Sequence, residues 1–146
     1  MYMPNFRTAP FQELLTFVVL AVVKQGAPSI NSQPDKDGNV VCEYRAENGN
    51  KCAFGHLISD DEYQIAMEGY KASHAAKEFL NATRLSNDRL DFLNRLQHCH
   101  DRAADHHLSK GVSFVGEFIR NCDILATRHY LEMPKEIDHV RINDCL

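Results

Sequence analysis

The apolar run Leu14 to Val23, LLTFVVLAVV, begins just after Pro10 and stops before Gly26 and Pro28. Proline suits a first helical turn, and glycine followed by proline ends one. The pattern predicts a buried helix over residues 10–25. The run is shorter than the ~20 residues a bilayer span requires, and it lacks the flanks of a secretory signal. A core helix with no membrane contact is expected. The polar stretch SINSQPDKDGN, residues 29–39, is a loop by composition.

Residues 40–45 and 51–54 flank Glu47-Asn48-Gly49-Asn50. Asn-Gly between short runs is a hairpin signal. Strand alternation would then put Cys42 and Cys52 on one side of a two-stranded ribbon. Ser59 with Glu62 forms a capping box and predicts a short helix over 60–68, stopped by Gly69. Further helices are expected over 73–83, from Ser86 or Asn87 to about 106, and over 112–131. The expected fold is a mostly helical α+β domain, four or five helices packed around one small β-hairpin. It spans 10–133, between a flexible arm (1–9) and a charged tail (134–146).

The long helix carries the most specific signal. Leu90, Leu93, Gln97, His100, Asp101 and Ala104 recur at steps of three and four. Gln97 and His100 therefore continue an apolar stripe. Burying an amide and an imidazole costs a few kcal/mol, about 2 or more, unless each is hydrogen-bonded. A polar partner should face them, and the hairpin is the expected one. On the last helix Phe114, Phe118, Cys122, Leu125 and His129 share a face, widened by Val115, Ile119 and Ile124. That breadth predicts a core face or a homo-oligomer contact. His106 and His107 are read as favourable charges at a helix end.

Composition narrows the classes. The chain has 146 residues, 44% apolar and 25% charged, with a formal charge of −4. One ordinary domain is expected, with no general nucleic-acid binding. Five scattered cysteines suit reduced thiols in a cytoplasm.

Several motifs together resemble a family of small phage and bacterial proteins: "KQGAPS" (Lys24 to Ser29), "CEYRAENGNKCAFGHLI" (Cys42 to Ile58), "DDEY" followed by "MEG" (Met67 to Gly69), and "LQHCHD" (Leu96 to Asp101). The resemblance covers roughly residues 10–131 and carries no assigned chemistry. It implies that Cys42, Tyr44, Arg45, Cys52, Gly55, Glu68, Gln97, His100 and Asp101 belong to the family's pattern. The "HD" dipeptide of His100-Asp101 is only superficially like that of metal phosphohydrolases.

Three readings follow. The first is a zinc site of Cys42 and Cys52 with His56, His98 or His100. It is disfavoured because nine residues separate the cysteines, where structural zinc takes closer pairs; neither metal nor other cofactor is expected. The second is a cysteine-dependent hydrolase with Cys52 as nucleophile, His100 as base, and Asp101 or Gln97 in support. Adjacent residues on a helix point about 100° apart, which argues against Asp101 orienting His100. The third ranks first: a pocket for a small anionic, nucleotide-like ligand. Arg45 would clamp the anion, Tyr44, Phe54 or Tyr63 would stack, and Gln97, His100 and Asp101 would meet polar edges. Glu68, an acid at a helix end, joins that site. With the phage resemblance, this extends to countering host defence signalling. A structural or partner-binding role with no ligand is the remaining alternative.

Overall fold

The first helix, α1 (Phe11–Gln25), forms where the apolar run predicts it, and Leu14, Leu15, Val18, Val19 and Val22 are buried. Gly26 ends it at φ 75°, its N–H returning to the Val22 carbonyl. The computed structural model describes residues 2–31, 33, 35–39 and 41–140. Three further main helices are α2 (Ala72–Phe79), α3 (Asn87–Lys110) and α4 (Phe114–Arg128), with 3₁₀ turns at Phe54–Leu57, Ile65–Met67 and Lys135–Ile137. α3 starts at Ser86, whose hydroxyl accepts from the Arg89 N–H, and stops at Gly111 in the left-handed region. α4 starts at Ser113, whose hydroxyl accepts from the Gly116 N–H. α3 and α4 form an antiparallel pair, and α1 packs against α4 and the Phe54–Leu57 turn. Among the described residues no helix is long and apolar enough to cross a membrane.

The β-hairpin is not formed. Among the described residues the fold is all-helical rather than α+β, and pairing is limited to the single bridges Ile30–Cys42 and Arg45–Lys51. The Asn-Gly turn does close, with the Ala46 N–H donating to the Asn50 carbonyl at 2.9 Å and Gly49 at φ 91°. Past Lys51, however, the chain coils at once into the 3₁₀ turn that buries Phe54 and Leu57. Side chains replace the missing strand neighbours. The Glu68 carboxylate accepts the Tyr44 and Arg45 N–H groups at 2.7 and 3.1 Å. The Gln25 amide accepts the Lys51 N–H and donates to the Lys51 carbonyl, both at 2.9 Å. Val40, part of the expected first strand, lies outside the described residues.

Other boundaries shift for similar reasons. The helix expected over 60–68 is a turn on the Ser59 carbonyl, followed by the short Ile65–Met67 turn. Glu62 accepts from the Ser59 hydroxyl at 3.2 Å through one oxygen and binds Arg7 at 2.6 Å through the other, and Gln64 is extended. The supposed flexible arm is docked: Phe6 is buried edge-on to Phe54 at 5.1 Å, and Arg89 binds the carbonyls of Phe6 and Ala9. Of the supposed tail, Pro134 and Ile137 are buried, and 141–146 lie outside the described residues. On α4, Phe114, Phe118, Ile119, Cys122 and Leu125 are core. That leaves Ile124 as the exposed large apolar residue on α4 and removes the broad face behind the expected homo-oligomer.

The segment 42–58 is pressed tightly against itself. A Cβ on Gly55 would lie 2.2 Å from the Tyr44 carbonyl oxygen. Since that contact is with backbone, Gly55→Ala must push the two strands of the loop apart. We expect it to lower stability by about 1–3 kcal/mol or more, as overpacking does, read as a fall in the urea midpoint. An unchanged midpoint would show that the close approach is absent.

Candidate functional site

α3 presents its buried stripe to this irregular segment, and the contact is polar. The Phe54 N–H donates to Gln97 Oε1 at 2.8 Å, and the Ser29 N–H donates to His100 Nε2 at 3.0 Å. A backbone N–H can only donate, so Nε2 holds the lone pair and the ring proton sits on Nδ1. Nδ1 then donates to Asp101 Oδ1 at 3.0 Å. Gln97 Nε2 donates to the same oxygen at 2.7 Å. Asp101 therefore does orient its neighbour's ring, against the expectation from helical geometry. His100 is fully buried, whereas the Asp101 side chain is 38% exposed.

The Cys42 sulfur lies within 4.8 Å of the Asp101 carboxylate; burial, and then Asp101, push that thiol far above its ordinary pKa. The carboxylate is thus held from behind by an amide and an imidazole. Its remaining face opens into a cavity of about 720 Å³ between residues 41–44, the 69–72 turn and α3. Glu43, Asp105 and Lys71 stand around the opening, with Arg95 and His98 on the ridge of α3. Ala104, one turn along, also lines the cavity.

The other expected site residues are divided by the fold. Tyr44 is buried, its hydroxyl donating to the Tyr70 carbonyl and its ring edge-on to Phe54; it forms a wall and offers no free face for stacking. Arg45 does not reach the cavity. It stacks on Tyr63 at 4.6 Å, pairs with Asp60 at 2.8 Å and donates to the Ile58 carbonyl at 3.0 Å. Glu68 is likewise committed, accepting from two backbone amides and from the Tyr63 hydroxyl at 2.6 Å.

Cys52 is wholly buried, and its sulfur accepts the Gly55 N–H at 3.4 Å. Burial, and then Asp101, raise its pKa well above the ordinary thiol value. A nucleophile needs the opposite, an accessible and stabilised thiolate, so the hydrolase reading gains no support. Cys42, His100 and Asp101 place ligating atoms within 4.8 Å of one another. As a metal set they fit poorly, because His100 Nε2 is taken by a backbone N–H and Nδ1 must carry the proton. A metal at Nδ1 would leave two N–H groups facing each other at Nε2.

Reading the sequence missed Ser29, Gln25 and Asp105. Asp105 lies four residues from Asp101, a spacing visible in the sequence. Gln25 and Ser29 sit within the quoted KQGAPS motif, at the end of an apolar helix where a buried polar group needs a partner. Comparison with protein-family models, curated proteins and solved structures finds no match for this chain.

His56, in the Phe54–Leu57 turn, gives the network a pH signature. Its Nε2 is buried without a partner among the described residues. Burial first, then Lys51 and His100, lower its pKa from 6.5 to about 4. The unfolded chain therefore takes the proton first as pH falls. Stability is complete above pH 6.5 and declines from there toward pH 4 by up to roughly 3 kcal/mol. Urea unfolding across that window should show this decline, and His56→Gln should flatten it. A variant that loses stability as steeply as the parent would place the effect elsewhere.

Proposed function

We propose that the protein binds a small organic molecule in the cavity between residues 41–44 and α3, recognising a cationic or donor-rich head group such as an amine or guanidine. The observation that carries this is Asp101: a carboxylate anchored from behind by Gln97 and His100, with its free face toward the cavity. Preorganised acceptors of this kind bind charged donors well because no reorganisation is needed on binding. Asp105 and Glu43 add negative charge to a lining that also holds Lys71 and, already paired with Asp91, Arg95. The volume of about 720 Å³ suits a small ligand.

This departs from the anionic ligand that the sequence suggested. That expectation rested on Arg45, which is spent on Tyr63, Asp60 and Ile58. A role in countering host defence rested on the family resemblance and has no support in the site itself.

Native mass spectrometry of protein purified from cells should reveal a retained cationic metabolite. Thermal shift with spermidine and arginine methyl ester as probes should raise the melting temperature, while acetate and succinate should not. Asp101→Asn keeps an acceptor for Gln97 and His100 but removes the charge. It should weaken probe binding about tenfold or more, the worth of a charged hydrogen bond, and Asp105→Asn should weaken it less. Anionic probes that bind through Asp101-side residues, or cationic probes indifferent to Asp101→Asn, would overturn the proposal.

A further inference from the structure

The outer face of α3 carries a second pattern. Arg95, His98, Arg102 and His106 recur at steps of three and four residues. On α4, Arg120 and Arg128 line the other wall of the same cleft, which encloses about 490 Å³. Four arginines and two histidines thus share one trough in a chain whose overall charge is −4. Glu117 is the acid in the lining. It engages His106 at 3.1 Å and Arg120 at 3.3 Å. Arg95 pairs with Asp91 at 2.7 Å, and Asp123 on α4 is itself engaged. Among the described residues, Arg102, Arg128 and His98 have no hydrogen bond or ion pair.

Such clustering is unfavourable by itself. Like charges on neighbouring helical turns repel, and among the described residues no hydrogen bond or ion pair offsets Arg102 or Arg128. A local conflict without internal compensation points to an external partner. Guanidinium is the group suited to phosphate, which it holds through two parallel hydrogen bonds. The trough also has an apolar strip: Ile124, 57% exposed, beside Leu125. Its size matches a single small molecule. A nucleic-acid polymer would call for a longer basic track than one helix pair offers.

We propose that the α3–α4 cleft binds a phosphate-bearing small molecule of nucleotide size, with its phosphates on Arg102 and Arg128 and its apolar body against Ile124. This site lies on the far side of the Arg95–His98 ridge from Asp101. Arg102 and Arg128 line only this cleft, while Asp101 and Asp105 line only the other cavity. The two sites therefore fail or stand separately.

Isothermal titration with inorganic pyrophosphate and with ATP tests it on the full chain. Both should bind, more weakly as salt rises. Arg102→Ala and Arg128→Ala should each weaken both probes about tenfold or more. Ile124→Ala should weaken ATP and spare pyrophosphate. Arg84→Ala removes an exposed arginine outside the cleft and should change nothing. All four positions are on the surface, and circular dichroism checks that each variant is folded. No binding at millimolar probe would overturn the proposal. So would an equal loss in Arg84→Ala, or a preference for single-stranded oligonucleotides that grows with their length.

Discussion

A loop is buried at the centre of this molecule, and its backbone must be hydrogen-bonded by something other than a sheet. Cys52, Ala53, Phe54, Leu57 and Ile58 are almost wholly excluded from water. Each unsatisfied amide there would cost about 1–3 kcal/mol, against a net stability for a domain of only about 5–15 kcal/mol. The amides of Ser29, Tyr44, Arg45, Lys51 and Phe54 donate to His100, Glu68, Gln25 and Gln97. These side chains do for the loop what neighbouring strands would do for a ribbon. The helices are held in place around the loop by the same bonds.

That constraint also sets the character of the cavity. Gln97 and His100 face the loop because its amides need acceptors. Their remaining donors then converge on one oxygen of Asp101. The site carboxylate is thus a by-product of how the core is satisfied, and its rigidity follows from the bonds behind it. α3 separates two surfaces of opposite sign: Asp101 and Asp105 on one side, Arg102 and His106 on the other. Arg95 and His98 form the ridge between them.

The helices were legible because their signals are local. Apolar period, the Ser86 cap and the Gly26 stop all act within a few residues. The stripe of α3 was legible for the same reason, and it put Gln97 and His100 on the buried face that they occupy. The loop was not legible. Asn48-Gly49 signals a turn, which forms, but whether strands follow depends on partners distant in sequence. Glu68 is more than 20 residues from the amides it binds, and Gln25 is 26 from Lys51. Arg45 was misassigned because its stacking on Tyr63 and pairing with Asp60 depend on the turn after Ile58. The basic face of α3 was present in the spacing of Arg95, His98, Arg102 and His106. It was hidden by an overall acidic composition.

Native-state hydrogen exchange tests the central claim most directly. The amides of Ser29, Tyr44, Lys51 and Phe54 should be protected as strongly as those in the middle of α3, opening only with global unfolding. If they instead exchange as quickly as the exposed turn at residues 35–39, the side chains are not holding the loop, and the account of both core and cavity fails.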